Sequence, residues 1–289
     1  MEVQTYSIVI GTEACNASCP YCVSKMTPQL GVENKHVDVN WRNFDIAARY
    51  AKDCGASTVL LTGKGEPTLF PNLITDYMKH LKDYKFPFIE LQTNGITLAE
   101  SAYDKYLKEW CDHGMTLVAI SIAHYDAEKN REIYLPKRKQ YFDLEGLISK
   151  LHSQKFSVRL SCTMLKDYID DIAGIEKLVE FAKKNDVEQL TIRPVRKPES
   201  SRNDEIFDWV DKHAVDNDAL KRIKDHLDAN ATLLMELAHG AAVYDLGGQN
   251  ICFTDALTID PKSSQIRQLI FFPDGHLRYD WQYKGAILL

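Results

Sequence analysis

The chain has 289 residues, 45% of them hydrophobic and 10% aromatic, enough to bury the core of one α/β domain. Its net charge of −6 gives no long-range attraction to phosphate backbones and disfavours nucleic acid as a partner. No stretch reaches the roughly 18 consecutive apolar residues of a membrane span, and no basic region precedes an apolar run at the N-terminus, so a cytosolic protein is expected.

Taken in chain order, strand-like and helix-like segments alternate. Strands are expected at 6–11, 58–62, 88–94, 116–122, 157–163 and 189–193, each short and β-branched or aromatic in character. Amphipathic helical spacing fills the gaps at 41–54, 73–84, 99–110, 144–153 and 172–184. This β/α order predicts an α/β fold, a partial (β/α)6 TIM-type barrel over residues 1–195. Residues 196–289 read as an extension with helices at 204–213 and 220–239 and a β-hairpin. Its arms, 265–272 and 276–279, flank Pro273, Asp274 and Gly275. The extension is expected to cap one end of the barrel and to contact substrate.

Strand parity assigns faces, because successive residues point to opposite sides and the helix-covered side must be apolar. In 157–163 the apolar set is Val158, Leu160 and Cys162, which turns Ser157, Arg159, Ser161 and Thr163 toward the lumen. The same reading turns inward Glu90, Gln92 and Asn94, then Ala119 and Ser121, then Gln189, Thr191 and Arg193. A polar lumen is a binding site.

Of the seven cysteines, Cys15, Cys19 and Cys22 follow the first strand, where barrel active sites collect. A CxxxCxxC spacing can fold three thiolates around one corner of a cuboidal iron–sulfur cluster and leave one iron open. The alternative is a zinc-stabilised, non-enzymatic binding module. Zinc usually takes four ligands, and here no second cysteine pair exists and His36 stands alone as a possible fourth. With Tyr21 before the last cysteine, the triplet resembles the signature of the radical SAM superfamily.

That resemblance implies one [4Fe–4S] cluster, S-adenosylmethionine as a second cofactor, and an external one-electron donor such as a flavodoxin or ferredoxin. Gly63, Lys64, Gly65, Glu66 and Pro67 stand in place of the superfamily's Gly-Gly-Glu-Pro segment, with Lys64 separating the glycines. Backbone carbonyls there and the Glu66 carboxylate can accept hydrogen bonds from the cofactor's methionine ammonium. Asn94 and Ser121 occupy strand ends from which ribose and carboxylate contacts come, although simple turn chemistry also explains them. A lumen guanidinium at Arg159 needs an anion, either the methionine carboxylate or Glu90, and Arg193 is the second candidate for that role or for a substrate anion.

The implied chemistry is reductive cleavage of S-adenosylmethionine to a 5′-deoxyadenosyl radical that takes hydrogen from a small, anionic metabolite. A peptide or RNA substrate is the alternative. Cys252 is either a hydrogen donor to a substrate radical or a buried apolar residue, and Cys54, Cys111 and Cys162 read as packing residues. The hairpin's Arg267, His276, Arg278 and Asp280 lie among aromatics that either contact an anionic substrate or simply pack. Residues 136–139, followed by Gln140 and Tyr141, form a basic stretch at the barrel mouth, either anion-binding or solvated.

Overall fold

The computed structural model describes residues 2–33, 38–138, 141–198, 200–237, 240–255 and 265–289; His36, Lys139 and Gln140 lie outside them. Strands β1 (Glu2–Val9), β2 (Thr58–Thr62), β3 (Phe88–Thr93), β4 (Leu117–Ile122), β5 (Ser157–Met164) and β6 (Gln189–Pro194) pair in parallel in that order. Between β1 and β2 run α1 (Val23–Met26) and α2 (Trp41–Asp53), and between β2 and β4 run α3 (Pro71–Leu81) and α4 (Asp104–Asp112). Helices α5 (Ala127–Tyr134) and α6 (Leu144–Ser153) precede β5, and α7 (Ile172–Lys184) precedes β6.

The five expected helices form, several behind N-caps that accept a backbone N–H: Asn40 for α2, Asp143 for α6 and Asp171 for α7. Helices α1 and α5 are not among the elements expected from the sequence. In α5 only Asn130, Ile133 and Tyr134 are buried, too few apolar positions to display a helical period.

Beyond residue 195 the chain forms α8 (Asp204–His213) and α9 (Asn217–Asn230), then β7 (Thr232–Glu236), β8 (Ala242–Leu246), β9 (Gln249–Phe253), β10 (Gln265–Phe271) and β11 (Leu277–Arg278). The helix expected at 220–239 therefore stops at Asn230. Leu233, Leu234 and Met235 continue the apolar spacing, but the backbone turns extended at Ala231, and Leu233 and Met235 pair with β8 across a register shift at Leu234, in an edge strand. Residues 238 and 239 lie outside the described set.

The expected hairpin does form, as β10 and β11. β10 lies parallel to β1, with Thr5 opposite Gln268 and Tyr6 opposite Leu269, while β9 lies parallel to β6, with Thr191 opposite Cys252. The order β11-β10-β1-β2-β3-β4-β5-β6-β9-β8-β7 makes one curved, unclosed sheet among the described residues.

Parity holds. Ile89, Leu91, Val118, Ile120, Val158, Leu160, Cys162, Leu190 and Ile192 share one core between sheet and helices. Val215, Leu227, Tyr244, Ile251, Leu269 and Phe271 belong to that same core, so the C-terminal third is built into it. Burying such side chains stabilises by about 25 cal/mol per Å² of apolar surface. The opposite face of the strands keeps its polar residues.

Candidate active site

The cysteine loop leaves the C-terminal end of β1 and is gripped from several directions. Ser18 N donates to Tyr134 O (2.9 Å), Lys137 N to Asn16 O (2.8 Å), and Lys137 Nζ to Cys15 O (2.8 Å). Lys137, one of the basic stretch, therefore braces the loop. Its neighbour Arg138 pairs with Glu100 at 2.6 Å. Asn94 Nδ2 donates to Asn16 Oδ1 (2.7 Å) and lies 4.0 Å from Cys15 Sγ, which brings the end of β3 onto the loop.

Cys15, Cys19 and Tyr21 pack against a small apolar cluster that includes Ala17, Met26, Tyr134, Val195, Ile206 and Val210. The Tyr21 ring lies 6.2 Å from Tyr134, edge-on, and 6.3 Å from Trp209. Tyr134 and Trp209 come from α5 and α8. Sequence reasoning missed them, because a single aromatic on a short polar helix carries no signal of what it will meet.

All seven cysteines are free thiols. Burial pushes the thiols of Cys15 and Cys19 up, and the charge of Cys22 pushes both further. Three thiolates cannot share this loop without positive charge between them. Iron supplies that charge, so the donor set fits a cluster. Among the described residues no three His, Cys, Asp or Glu side chains converge tightly enough for a single metal ion; a cuboidal cluster spreads its three cysteine ligands more widely.

The GKGEP turn locks against the loop. Glu66 N donates to Ala14 O (2.9 Å), and a Cβ added at Gly65 would sit 2.1 Å from Ala14 O, so only glycine permits this approach. Gly63 is tight as well, its would-be Cβ 3.1 Å from Gly65 O. Pro67 opens a 3₁₀ turn over Pro67–Leu69.

The Glu66 carboxylate is buried and accepts four hydrogen bonds. Its Oε1 accepts from Thr68 N (3.1 Å), Thr68 Oγ1 (2.7 Å) and Thr93 Oγ1 (2.6 Å), while its Oε2 accepts from Asn94 N (2.9 Å) and keeps a second acceptor direction. Burial still raises its pKa despite these donors. Through these bonds Glu66 ties the end of β2 to the end of β3. Lys64 is buried too, its Nζ donating to Thr27 Oγ1 (3.1 Å) and Pro28 O (3.0 Å). Burial lowers its pKa to about 8, with Glu13 the largest opposing influence.

Deeper in the lumen, Arg159 pairs with Glu90, which also accepts from Gln92 Nε2 at 2.9 Å. Glu90 is thus a partner for the Arg159 guanidinium within the chain. Arg159 also stands five residues before the end of β5, roughly 17 Å by strand rise from the end where the cysteine loop sits. Arg193, next to last in β6 and exposed, is nearer that end, and its charge reaches Tyr21. Ser121 lies beside Ser161 in register and is half-buried.

Cys252 is half-buried. Burial raises its thiol, while the charges of Arg159 and Arg267 oppose the rise. Arg267 is held below the usual guanidinium range by burial first and by Arg193 second. Residues of β6, β9 and β10 thus share one electrostatic neighbourhood. The hairpin's other polar residues serve the hairpin itself. Buried Arg278 binds Asp274 at 2.7 and 3.0 Å and lies 4.7 Å from the Phe272 ring, and His276 sits 3.1 Å from Asp274. Asp280 accepts from Gln282 N and Tyr283 N.

Among the described residues no helix is long and apolar enough to cross a membrane. Two curated relatives share sequence with the chain. One is a GTP 3′,8-cyclase of Agrobacterium fabrum, 24% identical over 238 residues, covering 80% of this chain and 60% of that protein. The other, a probable GTP 3′,8-cyclase of Archaeoglobus fulgidus, is 33% identical over 122 residues, covering 42% of this chain and 36% of that protein. The chain thus spans less than two thirds of either relative.

Among solved structures, Streptococcus suis SuiB bound to S-adenosylmethionine superposes with a TM-score of 0.62 at 14% identity, covering 98% of this chain and 62% of SuiB. Native anSMEcpe with bound AdoMet superposes with a TM-score of 0.60 at 15% identity, covering 99% of this chain and 77% of its own. These likenesses show the partial barrel. The family model of the Radical SAM superfamily matches residues 9–182, from the end of β1 through most of α7. The chain belongs to the radical SAM superfamily, whose enzymes bind a [4Fe–4S] cluster and S-adenosylmethionine.

Proposed function

We propose that Cys15, Cys19 and Cys22 hold the cluster and that the enzyme uses S-adenosylmethionine to take a hydrogen atom from a small anionic metabolite. Held there, the cluster would supply the electron for reductive cleavage of S-adenosylmethionine to methionine and a 5′-deoxyadenosyl radical. The observation that carries this reading is the lock between the two motifs: Glu66 N on Ala14 O beside the first cysteine, at the lumen end where Asn94 meets the same loop.

In this reading Tyr21, Tyr134 and Trp209 exclude water from one side of the cysteine loop. Glu66 and Asn94 fix the ends of β2 and β3, and Gly63, Gly65 and Pro67 let the backbone approach the cofactor closely. Ser121 offers a hydroxyl from the neighbouring strand. Arg193 serves the methionine carboxylate or the substrate anion, because a guanidinium at a polar barrel mouth favours a planar oxyanion partner. Arg159, occupied by Glu90, shapes the lumen floor. Arg267 and Cys252 line the substrate side, where the C-terminal segment contributes.

The names of the two curated relatives make GTP the first substrate to try, and its phosphates suit a lumen edged by arginines. The electron comes from an external carrier such as a flavodoxin or ferredoxin, and free thiols suit a reducing cytosol. The test is anaerobic reconstitution with iron and sulfide, followed by assay of 5′-deoxyadenosine from S-adenosylmethionine and dithionite. Wild type is expected to form it and Cys19→Ala to lose it. Failure to hold about four irons per chain, with zinc retained instead, defeats the reading.

A further inference from the structure

The residues on either side of the cysteine triplet are Ala14 and Val23, and the GKGEP turn reaches both. On one side Glu66 N bonds Ala14 O at 2.9 Å. On the other, Lys64 Nζ donates to Thr27 Oγ1 at 3.1 Å, and Thr27 Oγ1 donates in turn to Val23 O at 3.0 Å. Lys64 Nζ also bonds Pro28 O at 3.0 Å and lies 5.7 Å from the Trp281 ring. Lys64 and Thr27 are 5% and 4% exposed, so water competes little for these bonds.

Burying an ammonium is costly, and a turn of this kind needs no lysine to form. We infer that Lys64 is a positioning residue: its side chain, relayed through Thr27, clamps the far end of the cysteine loop and so holds Cys22 in place for the cluster. The residue that sets GKGEP apart from the superfamily's Gly-Gly-Glu-Pro thereby takes a task the shorter segment has no side chain to perform. Trp281 closes the other face of the ammonium, which makes the C-terminal tail part of the clamp. The inference rests on the cysteines being the cluster's ligands.

The test compares Lys64→Met, Thr27→Val, Thr27→Ser and the Lys64→Met/Thr27→Val double variant. In the cluster-free proteins, amide exchange over residues 22–27 is expected to quicken in Lys64→Met and Thr27→Val, and to stay at the wild-type rate in Thr27→Ser, which keeps the hydroxyl. In the reconstituted proteins, loss of iron to a chelator is expected to be about tenfold faster in Lys64→Met and Thr27→Val, the size typical of losing a residue that supports a metal ligand.

Because both changes break one relay, the double variant is expected to lose iron no faster than the worse single variant. Wild-type exchange and iron loss in a folded Lys64→Met protein overturn the clamp, as do single effects that simply multiply in the double variant. Should Lys64→Met not fold, Thr27→Val against Thr27→Ser decides alone. Should wild type itself never hold iron, the cluster assignment fails and the clamp stands or falls on amide exchange in the iron-free chain.

Discussion

Gly65→Ala asks whether the two motifs are mechanically one unit. The added Cβ would stand 2.1 Å from Ala14 O and 2.7 Å from the carbonyl carbons of Ala14 and Glu13, all backbone atoms with no rotamer to escape into. Contact requires the loops to part by roughly 1 Å or more. That parting breaks the 2.9 Å bond from Glu66 N to Ala14 O. Losing that bond costs about 1–3 kcal/mol if the N–H stays buried, and the overpacking adds about 1–3 kcal/mol. The sum is about 2–6 kcal/mol, or a melting point lower by on the order of 10 °C in a domain of this size. The assay is thermal unfolding of the iron-free protein, followed by iron stoichiometry after reconstitution. Gly285→Ala is the control, with no atom within 4 Å of its added Cβ, and is expected within roughly 0.5 kcal/mol of wild type. A Gly65→Ala protein that melts with wild type and loads iron fully refutes the lock.

Glu66→Gln puts an amide N–H₂ where either Asn94 N or the Thr68 and Thr93 donors now point; denaturant unfolding is expected to show a loss of about 1–3 kcal/mol. Glu90→Gln strips Arg159 of its carboxylate beneath the lumen, and is expected to cost about 2–4 kcal/mol, whereas Arg159→Met/Glu90→Gln, which removes both charges, is expected to recover most of it. A double variant less stable than Glu90→Gln would contradict this. Lys64 gives a pH signature. Its folded pKa is about 8 against 10.5 in the unfolded chain, so between these values the unfolded state binds more protons and stability rises with pH. Wild type is therefore expected to gain melting temperature relative to Lys64→Met from pH ~7 to ~10, and a pH-independent difference would rule out a buried ammonium there.

Much of this was legible in the sequence because side-chain alternation is a local property. Val158, Leu160 and Cys162 had to face one way, and they do. Glu90 and Arg159 both fall on the inward parity of their strands, which makes them partners on sequence alone, and they pair. Partnership between distant strands was not legible. Period-two spacing says which face is apolar and nothing about which strand lies alongside, so the pairing of β10 with β1 and of β9 with β6 came only from the structure. Leu233, Leu234 and Met235 misled for the same reason, since three adjacent apolar residues satisfy a helix or an edge strand equally. At the site, the cysteines and glycines announced themselves by spacing, while Tyr134, Lys137 and Trp209 did not. Lys64 was visible only as a break in a pattern.

These long-range pairings bear on how the site is held. β1 carries the cysteine loop, and without β10 it would be an edge strand with one row of backbone groups unpaired. Frayed edges open most readily, and here an open edge would loosen the residues leading into Cys15. β10 removes that edge, and α8 and Trp281, from the same C-terminal third, meet the loop at Tyr21 and at Lys64. The last third of the chain thus stabilises the loop from behind, from the side and through the GKGEP turn. Order at Cys15, Cys19 and Cys22 is accordingly expected to track the integrity of β10 as closely as that of β1.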